Sequence, residues 1–495
     1  MKYAGYTYRD AVAHLREERI DRAWRTVEPE MEATLPDPLP FEPVDITNQS
    51  IPELVARCDI DHSVGPVPGT AGGRSAGYAR WRDFRDGGLD TYHVTRNNPA
   101  QPGGVSRLSP YLHWGHVSPF RIAREAVDRD SDGAAKFLDE LVTWRELAHH
   151  FCFYEPVHDT VAALPDWALG TLREHESDPR PVLHDWETLA RAETGDELWN
   201  LCQTSLLRHG ELHNNVRMTW GKALVGWSAT PEQALANLVE LNHRYALDGR
   251  DPNSYGGLFW CLGLFDRPFE PPRPVTGRLR GRATASHAER LDLEAYIARV
   301  DRANGSAPRI AVIGAGLAGL VCARTLADHR LPVTVFEKSR GLGGRLATRR
   351  TEAAAFDHGA QYFTARDPRF RRHVDAWAAQ GVVARWQPAG QDEAGGPDDW
   401  WVAQPGMSAL GRHLARDLAV AAGTRVAALR PDARGWRLVD GEARDLGRFD
   451  LVVVATPAPQ AVPLLAPVPA LAEAAAGASM APCWALMLDL AQPLS

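Results

Sequence analysis

Residues 309–320 read RIAVIGAGLAGL, and no other stretch constrains the fold as strongly. They predict a strand, a glycine turn and the start of a helix. Gly314, Gly316 and Gly319 stand as Gly-x-Gly-x-x-Gly. The first glycine permits the tight turn. The second lets the backbone approach a pyrophosphate, whose charge suits the helix N-terminus. Glu337 closes the next predicted strand, eighteen residues after Gly319, where a carboxylate can accept from a ribose 2′-OH. A bare tight turn would account for the glycines but not for the acid. The predicted order is strand 309–313, helix 317–329, strand 332–337 and, later, the buried strand DLVVVAT at 450–456.

Such a unit usually opens its chain, yet here some three hundred residues precede it. At 495 residues, two or more domains are expected. The first part is acidic, with 31 Lys+Arg against 41 Asp+Glu over residues 1–286, whereas the remainder has 24 against 22. That balance argues against a broad nucleic-acid surface but leaves room for a local basic groove. No apolar run is long enough to span a bilayer, and the N-terminus lacks a signal-peptide core, so a cytoplasmic location is expected. The six cysteines are scattered without a Cys-x-x-Cys pair, which speaks against a disulfide framework and a structural metal site.

A helical start (8–27) leads into LPDPLPFEPVDI, proline-rich and extended. From residue 74 to about 266 long helices dominate. AAKFLDELVTWRELAHHFCFY places apolar residues near a 3.6 period. A basic stretch, RPVTGRLRGR, a further helix and the polar linker DRANGSAP then lead to the glycine turn. The predicted organisation is an N-terminal extension 1–75, a helical domain 76–302, a linker 303–308 and an α/β domain 309–495.

Several residues of the helical part carry a structural and a chemical reading side by side. Asp248 and Asp251 could be a solvated loop. Trp220 and Trp227 lie seven apart, about two helical turns and ~10 Å along one face. With Trp199 they would ordinarily be core. Ser106 and Ser109 could cap a helix or hold phosphate. Arg273, Arg278, Arg280 and Arg282 could be a solvated face or a phosphate-tracking stripe.

Six motifs, in order, decide between these readings: GLDTYHVTRNNP, SRLSPYLHWGHVSP, FLDELVTWRELAHHFCFY, LWNLCQ, RMTWGKAL and LDGRDPNSYGGLFW…DRPFE. Over roughly 75–300 the chain resembles the photolyase/cryptochrome flavoproteins, in particular class II photolyases, which repair cyclobutane pyrimidine dimers in DNA. The resemblance implies a bent FAD buried among helices. Tyr92, Arg96, Arg145 and Arg217 would line its pocket. Ser106, Leu108 and Ser109 would meet the phosphates, although Val105 replaces a usual hydroxyl. Asp248 would face the flavin, paired with Arg217, and Asp251 a ribose. Asn253 would sit at flavin N5, where an amide accepts from N5–H without imposing a charge. Trp199, Trp220 and Trp227 match electron-relay positions. Glu140 would hydrogen-bond a flipped dimer and Trp144 would stack on it, the two sharing a helix face. Met218 and Phe269 would be further walls. The extension 1–75 is too short for the family's antenna domain, so no antenna pigment is expected.

The second part resembles the FAD-dependent amine oxidase superfamily, most closely its renalase-like branch, through EKSRGLGGRLATRR, FDHGAQYFTAR, WVAQPGMSALGRHLA and VVVATPAP. That implies a second FAD, with Gly343, Gly344 and Arg345 beside its pyrophosphate. The family's later strands would follow residue 495, so this module reads as incomplete and its substrate stays unread. The expected fold class is therefore mixed: an all-α photolyase-type FAD-binding domain, then an α/β Rossmann-type FAD/NAD(P)-binding domain. Light-driven dimer repair is the favoured function. The competing readings are a photoreceptor that does not repair DNA and a thermal FAD oxidoreductase.

Overall fold

The computed structural model describes residues 5–20, 39–43, 46–352, 354–386 and 400–489. Parts of the expected first helix (21–27), of the proline-rich stretch (35–38, 44–45) and the final six residues lie outside these. The chain divides into two compact units, Met1–Leu183 with His209–Arg302, and His184–Arg208 with Ala303–Ser495. Among the described residues no helix is long and apolar enough to cross a membrane.

The first unit is helical, and short polar caps set its helix starts. Ser131 accepts from Ala134 N, Thr230 from Gln233 N ahead of Pro231, and Asp251 from Asn253 N ahead of Pro252. Each cap satisfies one backbone donor that a helix start leaves open. One core cluster holds Trp81, stacked on Phe137 with ring centroids 5.5 Å apart, together with Phe84 and Tyr92. The periodic stretch expected as one helix is broken in its middle. Asp132–Leu138 runs into a π-helical turn, Asp139–Trp144, and then into Arg145–Tyr154. There the Arg145 N–H bonds the Glu140 carbonyl, five residues back. Apolar periodicity is nearly the same for both windings, so the sequence does not announce this turn; π-turns cluster at functional sites.

In the second unit four parallel strands lie in the order Leu451–Val454, Ile310–Ile313, Val333–Glu337 and Ala419–Ala422. Helix Leu317–Asp328 follows the first glycine turn. The central strand is buried along its whole length, as expected for a parallel sheet covered on both faces. A three-stranded antiparallel sheet spans Val426–Phe449. The segment 184–208, which interrupts the helical part of the sequence, is fastened inside this unit. Glu187, 1% exposed, accepts from His373 Nδ1 at 2.6 Å and Trp377 Nε1 at 3.1 Å. It also pairs with Arg191 at 2.8 Å, which in turn holds Asp328 at 3.0 Å. Apart from the Glu187–Arg191 pair, these partners are 137 to 190 residues apart in sequence.

Candidate functional site

The π-turn of the first unit gathers several of the expected residues. Glu140 is bonded by Arg96 Nη2 at 2.6 Å and Lys136 Nζ at 2.8 Å. Arg96 also lies over the Tyr92 ring, 5.8 Å from its centroid. Burial and the Glu140 charge push the Tyr92 phenol up to about 12, so it stays a neutral donor. Trp144, four residues after Glu140, stacks on Trp260 with centroids 4.8 Å apart and planes 26° from parallel. Trp260 was not singled out from sequence, although it lies in the motif LDGRDPNSYGGLFW. Phe269, expected as a further wall, has the Arg267 and Arg280 guanidiniums 5.3 and 5.6 Å from its ring centroid. Trp260 lies on helix Pro252–Cys261. Helix Gly5–Ile20 packs on the same turn: Arg9 bonds Asp139 at 2.7 Å, and Arg16 bonds Thr143 at 3.3 Å. A Cβ on Gly5 would come within 2.7 Å of the Trp144 ring.

Asp251 is the electrostatic centre of the neighbouring helix end. It is 2% exposed and takes a two-pronged bond from Arg145, at 2.9 and 2.8 Å. His113 Nδ1 lies 3.2 Å away, and the Asn253 N–H supplies a cap bond. Burial raises its pKa, but the bonds and charge of Arg145 more than offset that, so the carboxyl titrates below its ordinary range. Both oxygens are thus committed within the protein, and a ribose would have to share them. Among the described residues the Asn253 side-chain amide makes no hydrogen bond, while its backbone N–H is bonded to Asp251.

The expected Asp248–Arg217 pair does not form. Arg217 turns Nη2 to the Leu212 carbonyl at 3.2 Å, just ahead of its own helix, while its Nε is buried without a partner. Asp248 is buried at 6% exposure. Two further donors share this condition: Arg96 Nε and His213 Nε2 are buried and unpartnered. His213 Nδ1 accepts from Asn215 N, so the proton resides on Nε2. Burial, then the charges of Arg217 and Arg96, hold this imidazole down to about 4 and hence neutral. Buried donors without acceptors are costly, and three in one electrostatic neighbourhood fit a bound acceptor-rich group. FAD, with its phosphates and ring carbonyls, is such a group. Ser106 and Ser109 flank Arg107, which has a left-handed φ of 53°. Arg107 is held by Glu211 at 2.6 Å, and neither hydroxyl is spent on a protein bond. Leu108, 1% exposed, packs in the core.

Trp220 is fully buried on helix Asn214–Gly226, Trp227 caps that helix, and Met218 lies between them and its start. Trp199 is fully buried on helix Glu197–His209, in the segment belonging to the second unit.

The glycine turn of the second unit also fits a dinucleotide. A Cβ on Gly316 would meet nothing within 4 Å, so the backbone is open there. Gly314 has φ 107°, and a Cβ on Gly319 would overlap the Gly314 carbonyl oxygen. Gly343 and Gly344, both left-handed, close on the turn: Gly343 N bonds Ala315 O at 2.8 Å. Thr456 Oγ1 is buried nearby without a partner. Glu337 spends one oxygen on Ala315 N and the other on Ser339 N, both at 2.8 Å. It therefore pins the turn to the strand end. Arg345 is exposed. Gly316→Asp should leave the fold intact and abolish dinucleotide binding in this unit, because its carboxylate enters the space meant for an anion. Gly319→Ala should instead destabilise the unit. Thermal melting with cofactor titration separates the two; equal melting losses would contradict the assignment.

Two family models match the second unit: an NAD(P)-binding Rossmann-like domain over residues 312–377 and a flavin containing amine oxidoreductase over residues 388–494. The N-terminal part is homologous to proteins named deoxyribodipyrimidine photo-lyase. That of Oryza sativa subsp. japonica is 36% identical over 319 residues, covering 62% of this chain and 61% of the relative. That of Arabidopsis thaliana is 37% identical over 238 residues, 47% and 48% of the respective lengths. That of Methanothermobacter thermautotrophicus is 32% identical over 264 residues, 53% and 57%. The chain thus spans about half to three fifths of the curated relatives it matches.

Proposed function

We propose that the helical unit is an FAD-dependent photolyase acting on cyclobutane pyrimidine dimers in DNA, and that the second unit is a flavin oxidoreductase module. The observation that carries the first reading is the π-turn. It carries Glu140, bonded by Arg96, and Trp144, stacked on Trp260, and Arg96 Nε is one of the buried donors that lack acceptors. Homology to photolyases at 32–37% identity supports it. Held in this unit, a reduced FAD would supply the light-driven electron transfer that dimer repair needs.

The chain's own residues bind and orient. Trp144 and Trp260 offer flat apolar faces to the flipped bases, which stack badly in the duplex and leave it at low cost. Glu140 accepts a hydrogen bond from the dimer, and Arg96 and Lys136 fix its orientation. Arg217 and His213 present N–H groups toward the cofactor, and Asn253 offers an uncharged amide. Buried Trp220 is an oxidisable indole suited to re-reducing the site.

The test is repair itself. The purified, reduced full chain should restore a dimer-containing oligonucleotide under blue light. Absence of repair at any protein excess would favour a light sensor that does not repair. Glu140→Ala should lower the repair rate by about 10²-fold, the scale of losing one preorganised hydrogen bond at a reacting group, with flavin content preserved. Equal loss of both would make the carboxylate structural. Trp220→Phe should slow photoreduction of the oxidised protein; an unchanged rate would remove it from electron transfer.

A further inference from the structure

A cavity of about 620 Å³ opens in the first unit, lined by Lys222, Trp227, Arg273, Arg280 and Arg282 and by no acidic residue. Its cations are unusually poorly compensated. Lys222 is 9% exposed, and its Nζ donates to the Cys261 carbonyl at 3.3 Å. Burial lowers its pKa; Cys261 and Asp266 act against that, and Arg280 and Arg282 reinforce it. Asp266 makes no ion pair with Lys222, and the buried Cys261 thiol, pushed up to about 11, stays neutral. Arg282 bonds Thr219 Oγ1 at 2.6 Å and Asn215 Oδ1, both uncharged. His287, on the far side of Thr219, is held down to about 4 and adds no charge. Arg280 lies over the Phe269 ring, and Arg273 folds against Gly281. By contrast, Arg278, in the same stretch, has its own acid, Glu270, at 3.1 Å and does not line the cavity.

The choice of cation is itself informative. The chain has only four lysines, at 2, 136, 222 and 338, against 51 arginines. A lysine placed inside an arginine-lined cavity supplies a compact ammonium that titrates with its surroundings, which a guanidinium does not. Lys222 is buried without an ion-pair partner, whereas Arg282 is half-buried and Arg273 and Arg280 are exposed, and an entering anion relieves the cost of the buried ammonium. The volume is several times that of a phosphate and suits a small organic ligand. The Trp227 indole gives such a ligand a flat wall.

We propose that this cavity is a binding site for a phosphorylated planar small molecule of mononucleotide size, with Lys222, Arg273 and Arg282 on the phosphate and Trp227 on the ring. The probe is adenosine 5′-monophosphate, applied to the flavin-loaded full chain. Acetylation of each lysine is followed by peptide mass spectrometry, and affinity by calorimetry. Saturating nucleotide should slow acetylation of Lys222 at least tenfold and leave exposed Lys338 unchanged. Lys222→Met and Arg273→Gln should each weaken binding at least tenfold without changing flavin content; the second variant serves if the first does not fold. Equal affinity for adenosine would overturn the phosphate assignment, and equal protection by inorganic phosphate the ring assignment. If an undamaged oligonucleotide protects Lys222 while the mononucleotide does not, the cavity is a DNA-backbone contact and the proposal falls.

Discussion

Asp251→Ala is expected to cost the helical unit about 4–6 kcal/mol, enough to prevent it from holding flavin. The figure joins two losses. Removing one partner of a buried ion pair costs about 3–5 kcal/mol, because the other charge is left without compensation. Arg145 would be that charge, only 8% exposed and bonded to Asp251 through both Nη atoms. Losing an Asp cap adds about 1 kcal/mol, since Asp251 also accepts from Asn253 N at the start of helix Pro252–Cys261. That helix carries Asn253 and Trp260, so the site should fail with the fold. Urea unfolding of the full chain, together with flavin content, reads both effects. Asp251→Asn keeps the cap and loses the charge, and should fall between. If the alanine variant loses less than about 1 kcal/mol, Arg145 has another acceptor and the clamp is not the organising element.

In the second unit Glu187→Ala should cost about 3–5 kcal/mol by the same reasoning, and its effect should fade in acid. Burial raises the Glu187 pKa, but the bond from His373, the nearby His413 and the Arg191 charge outweigh it and bring the carboxyl down to about 2. A carboxyl depressed on folding contributes stability that is present above its unfolded pKa, near 4.5, and lost as pH falls toward 2. At about 1.4 kcal/mol per pKa unit the pH-dependent part is roughly 3 kcal/mol. The native chain and the variant should therefore differ most at neutral pH and converge as pH drops below 4.5. A gap that stays constant down to pH 3 would show that Glu187 acts through packing alone. His213 acts in the same direction, in a higher pH window. Held near 4, it contributes most above its unfolded value of 6.5 and loses that contribution as pH falls from 6.5 toward 4. Comparing variants at each single pH removes this background.

Much of the architecture lay in the linear order of residues. Gly314, Gly316 and Gly319 announced the turn: Gly314 takes a left-handed φ, Gly319 packs against the Gly314 carbonyl, and Gly316 leaves the backbone open. The strand and helix around them followed from local periodicity. Ordered motifs sufficed to nominate Glu140, Trp144 and Asn253. What local patterns could not carry was pairing at a distance. Asp251 is joined to Arg145 across 106 positions, and Arg217 prefers Leu212 O to Asp248. Trp144 stacks on Trp260, which lies on a helix far along the chain. The π-turn was invisible because one extra residue per turn hardly alters an apolar stripe. Likewise, nothing local in residues 184–208 says that they fold with the dinucleotide-binding unit; Glu187 and Arg191 decide it through acceptors and donors far along the chain. Sequence determined which elements form and what chemistry they can bear. Tertiary structure alone decided which charges meet, because burial sets the strength of each pair and only the folded chain sets burial.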